Sequence, residues 1–343
     1  MADRKKAIVV GCGGMGQGWI NNVKSNPRAE VAALVDIRLD HAREVAQKYE
    51  LDPARVFDTV NAAAAACPAD FVVDVTVPEA HCPTTVAALA AGLPVIGEKP
   101  MAESMASARK MVRASERHNR LYMVSQSRRW DVNHKSCRAL VGSGAVGGVT
   151  TINCDFYIGA HFGGFRDEMP SPLILDMAIH HFDLCRFLIG ADPVACYAHE
   201  FNPSGSWYKG DVAASVMFEM TGGIVFTYRG SWCSEGFHTS WNGDWRIIGD
   251  RGTVLLEKDQ MPKAQRVKNL AQPGFHRDLD DVAVAAAQLT GGGGIYGSLN
   301  EMLDYLEIGS APQCECHDNI KSLAMVFGAI ESSKKKRRVE IQA

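Results

Sequence analysis

The sequence predicts an α/β chain in two parts: an N-terminal doubly wound, Rossmann-like parallel sheet, then a C-terminal α/β part with a large, mostly antiparallel open sheet. Three observations carry this. Short β-branched runs alternate with helical stretches over the first third of the chain, the pattern of a parallel sheet covered on both faces. A glycine-rich turn at Gly11–Gly16 follows the first run and opens the first helix. Beyond it, aromatic-rich alternating runs broken by Gly, Asn and Asp replace the helical alternation. The expected parts are 1–126, a dinucleotide-binding domain, and 127–343, a substrate-binding and oligomerisation domain whose C-terminal helix can pack back on the first. A length of 343 residues suits two cores better than one.

The elements read in order. "KAIVV" is a strand, and Gly11-Cys12-Gly13-Gly14-Met15-Gly16 fits G-x-G-x-x-G. "MGQGWINNVKSN" starts a helix, and "AEVAALVD" is a second strand ending on Asp36, twenty positions after Gly16. In a dinucleotide fold Gly11 permits the tight turn, Gly13 lets the backbone approach the pyrophosphate, and Gly16 lets helix and strand pack closely. Asp36 stands where an acid binds ribose hydroxyls. Arg38 follows two residues later and leaves NADP open beside NAD. "DFVVDVTVP", "LPVIGEKP" and "LYMVSQSRRW" are later strands with helices between them. Ligands in such sheets sit beyond the strand ends. The candidates there are Thr76, Pro78 and His81, then Glu98 and Lys99, then Gln126, Arg128 and Arg129. An ammonium at Lys99 can polarise a substrate oxygen or exchange a proton with it.

In the second part, "LILDMAIHHFDLCRFLIG" reads as an amphipathic helix. Asp176 and His180 are four apart, a spacing that brings both side chains to one helical face. A carboxylate beside an imidazole can fix its tautomer and support its charged form. The runs from "GGVTTINCDFYIGAHF" to "RIIGDRGTVLLEK" read as an antiparallel sheet. "SLNEMLDYLEIGS" and "HDNIKSLAMVFGAIESSKK" are late helices, and "RRVEIQA" is a last strand. Trp207, Trp232, Trp241 and Trp245 are expected first to pack the sheet face or a subunit contact, and Trp232, His238 and Trp241 are the candidates for a sugar-binding mouth.

Composition excludes several classes. The chain is 46% hydrophobic and 22% charged with a net charge of −3, so no nucleic-acid partner is expected. No apolar run reaches a membrane span and no secretory h-region precedes the first strand, so a cytoplasmic protein without a membrane partner is expected. Ten cysteines are scattered without a framework and read as thiols. "CECH" at Cys314–His317 has no second ligand pair at finger-like spacing, and no metal is expected.

"GCGGMG", "VVDVTVPEAH", "GEKPMA", "LDMAIHHFDLCRFLIG" and "SLAMVFGAIESSKKKRRVEI" together resemble the Gfo/Idh/MocA oxidoreductases, the family of glucose–fructose oxidoreductase and inositol dehydrogenase. The resemblance spans nearly the whole chain. It implies NAD(P)-dependent oxidation of a sugar or cyclitol hydroxyl, with Lys99, Asp176 and His180 as catalytic residues. It also implies cofactor contacts from Gly11, Gly13, Gly14, Met15, Gly16, Asp36, Arg38, Thr76, His81, Glu98 and Lys99. Phe165–Arg166 stands where many members have Trp-Arg, which makes Arg166 a further cofactor contact. Two departures are visible. Pro170-Ser171-Pro172 replaces the usual triple glycine, and basic residues replace the glycine before the last strand. Within the family, NAD-dependent glycosidases and non-catalytic, cofactor-regulated sugar-binding proteins are the alternative functions. A homodimer or homotetramer is expected, because an open sheet face needs covering.

Overall fold

The computed structural model describes residues 4–343 and forms two compact units. The first holds residues up to 127 together with 290–320; the second holds 128–289 and 321–343.

Six parallel strands make the first sheet: β1 (Lys5–Val10), β2 (Ala29–Val35), β3 (Val56–Phe57), β4 (Phe71–Asp74), β5 (Val95–Gly97) and β6 (Tyr122–Val124), in spatial order β3-β2-β1-β4-β5-β6. Order reverses between β1 and β4, the place where ligands enter doubly wound sheets. Ile8, Val9, Phe71, Val72 and Val73 are wholly buried, as strands covered on both faces require. Helix Gly14–Ser25 turns Gly16, Trp19, Ile20 and Val23 inward, one face at helical spacing. The run read as one strand to Trp130 stops at Val124 and becomes a 3₁₀ turn, Ser127–Trp130.

Residues 290–320 belong with the first unit, which differs from a single division near residue 127. The reason is packing. Helix Gly294–Ile308 buries Leu299, Met302 and Leu303 in one core with Trp19, Ile20 and Val23. Polar groups register the same contact. Asn26 Nδ2 donates to Asn300 Oδ1 at 3.0 Å, and Arg28 reaches Asp304 at 2.7 Å and Glu307 at 2.8 Å.

The second sheet has nine strands: β7 (Val149–Tyr157), β8 (Pro193–Phe201), β9 (Ala213–Met220), β10 (Val225–Ser231), β11 (Asp244–Gly249), β12 (Gly252–Leu256), β13 (Lys263–Val267), β14 (Leu279–Val282) and β15 (Val339–Glu340). Their order is β14-β13-β12-β11-β7-β10-β9-β8-β15; all neighbours run antiparallel except β7 and β10. Ile152, Phe156, Phe218, Phe226, Trp245 and Ile247 are buried on one face. Tyr197, Phe201 and Met217 stay exposed on alternate positions, with Tyr197 directly opposite Met217.

The stretch read as an amphipathic α-helix is two elements. Leu173–Ala178 is a π-helix, and an α-helix follows at Ile179–Ile189. The α-helix is not amphipathic: every residue from His181 to Leu188 is buried. Its buried carboxylate, Asp183, is matched internally. Arg129 grips Asp183 with two N–H bonds, 2.7 and 2.6 Å, and Ser322 Oγ donates to Asp183 at 2.8 Å. Such a buried, doubly bonded ion pair is strongly destabilising to break. None of the ten cysteines forms a disulfide.

If helix Gly294–Ile308 is part of the first core, Leu303→Ala destabilises the protein by about 2–5 kcal/mol, the range for a buried Leu. A lowered denaturation midpoint, with native-like circular dichroism before the transition, checks this.

Candidate active site

In the first unit, an open cleft of about 580 Å³ lies at the ends of β1, β2 and β4. It is lined by Gly11, Gly13, Asp36, Arg38, Asn61 and Thr76, among others. The turn exists because two glycines permit it. Gly11 has φ +95°, and a Cβ there would stand 2.5 Å from the Val75 carbonyl oxygen. A Cβ on Gly16 would stand 1.9 Å from the Gly11 carbonyl oxygen. Gly13 and Gly14 have open space where a side chain would be, which keeps the helix N-terminus bare. The first N–H groups of a helix lack partners in the helix and attract anions. Met15 is half exposed at the same turn.

Asp36 closes the cleft on the β2 side. Its Oδ2 accepts from Cys12 N at 2.9 Å and its Oδ1 from Arg38 N at 2.9 Å. Each oxygen keeps acceptor capacity for a hydroxyl. The Arg38 guanidinium is 3.9 Å from Asp36 and largely exposed. Burial, then the Asp36 charge, push the Cys12 thiol up to about 12, so it stays protonated.

Three other expected residues are embedded more deeply. His81 is 1% exposed and sits in a polar knot: its Nδ1 lies 3.0 Å from Asp74 Oδ1 and 3.2 Å from Thr76 Oγ1. Thr85 donates to the other Asp74 oxygen at 3.0 Å. Glu98 is buried and accepts from Trp19 Nε1 at 2.8 Å and from the Lys99 N–H at 3.2 Å. Burial pushes its carboxyl above the usual range. Glu98 thus ties the β5 end to the first helix, and Lys99 follows it with a cis bond to Pro100. Gln126 is buried beyond β6, with neither side-chain polar atom bonded.

In the second unit, Asp176 lies in the π-helix and His180 in the first turn of the α-helix. The i→i+5 winding changes the angle between residues four apart, so α-helical spacing does not describe this pair. Arg166 holds Asp176: its Nε donates to Asp176 Oδ2 at 2.6 Å. The guanidinium is sandwiched over Phe162 at 4.9 Å and Phe165 at 4.7 Å. Asp176, read as the holder of His180, and Arg166, read as a cofactor contact, are therefore brought together as an ion pair.

Around them lies an aromatic floor. Phe162 meets Trp232 edge-on at 5.1 Å and lies 6.1 Å from Trp241. Trp232 is buried, whereas Trp241 is 46% exposed. His238 Nε2 accepts from the Gly159 N–H at 3.2 Å. His161 stacks on Trp207 at 3.7 Å and bonds Glu235 at 2.8 Å. Phe162, His161 and Glu235 went unnoticed in the sequence because they lie in loops, which carry no periodic signal.

Elsewhere, Glu315, Cys316 and His317 bring one donor atom each within 4.8 Å. Both imidazole nitrogens are engaged, with Glu315 at 2.6 Å and Glu116 at 3.0 Å. That raises the His317 pKa and makes the cluster a hydrogen-bonded clasp. Among the described residues no helix is long and apolar enough to cross a membrane.

The fold and cleft define an NAD-binding oxidoreductase, and comparison with known proteins agrees. The model of the GFO_IDH_MocA oxidoreductase family, NAD-binding Rossmann fold, matches residues 5–126, and the family's C-terminal domain model matches 134–255. The chain therefore belongs to the Gfo/Idh/MocA family. A D-apiose dehydrogenase of Paraburkholderia graminis is 25% identical over 99% of this chain and 90% of its own. An inositol 2-dehydrogenase of Streptomyces avermitilis is 32% identical over 63% of each chain. An oxidoreductase from Agrobacterium radiobacter, solved with NAD⁺, L-tartaric acid and magnesium, superposes with a TM-score of 0.84 at 23% identity, covering 98% of both chains. At that identity the likeness is one of fold.

Two glycine variants separate packing from ligand access. Gly16→Ala forces a carbonyl clash and is expected to lower thermal stability sharply. Gly13→Ala meets no atom and is expected to melt like the wild type while losing NAD affinity. Differential scanning fluorimetry with and without NAD reads both.

Proposed function

We propose that this protein is an NAD-dependent dehydrogenase of a sugar or cyclitol hydroxyl. The observation that carries the reading is the β1–β2 cleft, with bare helix N–H groups on one side and the Asp36 carboxylate on the other. Gly11, Gly13, Gly14, Met15 and Gly16 would hold the pyrophosphate, and Asp36 the adenosine ribose, with Arg38 beside it. Thr76 lines the same cleft, whereas His81 and Glu98 would act from behind it, by holding Thr76 and Lys99. NAD, when bound, supplies the hydride acceptor. The relatives named for apiose and inositol support a polyhydroxylated substrate.

The chain must take the hydroxyl proton. His180 is the proposed base, half-buried at the start of its helix. Asp176, ionised against Arg166, supports the imidazolium that forms. Lys99 would hydrogen-bond the same oxygen and favour its developing negative charge. Lys99→Ala and His180→Ala are each expected to lower kcat by about 10²-fold or more, the usual worth of one acid–base group. NAD affinity should survive the His180 change. Wild-type turnover by His180→Ala would refute its role. The assay is a screen of polyols and aldoses with NAD and NADP, followed by reduced-nicotinamide absorbance. Turnover without net reduction would indicate a glycosidase, and ligand binding without turnover a sensor.

Asp36 accepts hydroxyl hydrogen bonds but repels a 2′-phosphate, so NAD should be preferred over NADP. Asp36→Ser is expected to move the ratio of kcat/KM values toward NADP. Equal efficiency with both cofactors in the wild type would count against the preference.

A homodimer or homotetramer is proposed as well. Tyr197, Phe201 and Met217 form an apolar patch on the uncovered face of β8 and β9, and a second copy would bury it. Light scattering at micromolar concentration should give at least twice the monomer mass, and Met217→Glu should reduce it.

A further inference from the structure

Among the described residues Arg128 makes no close ion pair. Its Nη1 lies 3.1 Å from His181 Nε2, and its Nη2 lies 3.9 Å from the Met177 sulfur. No carboxylate among the described residues is within ion-pair distance; the Asp259 charge acts on the guanidinium only from farther away, as the smallest of the influences on it. The imidazole supplies no charge. Burial first, then Arg128 itself, hold the His181 pKa far below its usual value, and its Nδ1 is buried without a hydrogen-bond partner. Tyr228, whose ring lies 5.5 Å from that of His181, has a buried hydroxyl with no partner, and burial keeps it neutral. Burial pulls the Arg128 pKa down to about 10, which leaves the guanidinium charged at neutral pH.

A half-buried cation facing a thioether and a neutral ring is costly unless something negative joins it. Its position says what that could be. Met177 follows Asp176, and His181 follows His180, so Arg128 touches the adjoining side of the same turn. The other guanidinium there, Arg166, is already matched by Asp176 at 2.6 Å. Arg128 therefore stands one residue away from the proposed proton-handling groups without a close ion pair of its own. A planar guanidinium pairs best with a carboxylate, which it can meet with two parallel hydrogen bonds.

We propose that Arg128 is an anion subsite and that the substrate is a polyhydroxy acid, an aldonic or uronic acid, rather than a neutral sugar or cyclitol. This rests on the dehydrogenase reading above and narrows its substrate class. Arg128 is then a specificity residue that grips the carboxylate while the hydroxyl to be oxidised lies at the Asp176–His180 turn.

Calorimetric titration of the NAD-saturated protein tests this, with glucuronate, galacturonate, gluconate and L-tartrate as probes. Glucose, galactose, myo-inositol and methyl glucuronate are the neutral counterparts. At least one acid should bind about tenfold or more tightly than its neutral counterpart, a preference weakened by added salt. Arg128→Met should remove the preference and leave NAD affinity unchanged. Arg128→Lys, which keeps the charge without the fork, should retain part of it and serves if the Met variant fails to fold. Equal binding of acids and neutral sugars by the wild type, or a preference that survives in Arg128→Met, would overturn the proposal. Turnover measured in parallel separates the two readings. Acids that bind through Arg128 but are never oxidised keep the subsite and defeat the dehydrogenase, whereas neutral polyols oxidised without any acid preference do the reverse.

Discussion

The first unit depends on how closely one helix can approach one turn. Gly16 lies against the Gly11 carbonyl, with no room for a single added carbon. That contact brings helix Gly14–Ser25 down onto β1 and sinks Trp19, Ile20 and Val23 into the core. It also aims the helix N-terminus at the cleft. Asp36 completes the arrangement by accepting from Cys12 N, which ties the β1 turn to the end of β2. Glu98 extends it further, since its bond to Trp19 fixes the strand end from which Lys99 departs. Packing and ligand access are therefore one constraint, met by glycines for different reasons: Gly16 because nothing fits, Gly13 because nothing should.

The second unit uses polar burial in a different way. Its central helix has no solvent face, so charged residues on it must be paired inside. Asp183 is satisfied by Arg129 and Ser322, and Arg186 by Asp192 and Ser322. Ahead of that rigid segment the chain winds as a π-helix, a geometry often found at functional sites. Asp176 projects from it into the Arg166 clamp. The guanidinium of Arg128 stands out against this background, because among the described residues no carboxylate lies within ion-pair distance of it.

Several candidate site residues are legible in the sequence because their signals are local. The glycine spacing, the acid at the end of the second strand and the Lys before a proline each sit at a strand end, and strand ends can be counted. Asp176 and His180 were legible as a pair, but not their surroundings. The π-helical winding around Asp176 has no local signal, and the arginine that holds the carboxylate lies ten positions away. His81 and Glu98 were read as facing the cofactor. The structure gives them buried partners, Asp74 and Trp19, that no spacing rule connects to them.

Taken alone, the sequence determined the alternation of strands and helices, the glycine turn, the acid that closes it and the family to which the chain belongs. These follow from short-range patterns that each segment carries by itself. Only the tertiary structure decided that residues 290–320 return to the first core, that Arg166 clamps Asp176, and that Arg128 makes no close ion pair among the described residues. Each of these rests on contacts between segments far apart in the chain, and a buried charge or a filled core is a property of the whole packing.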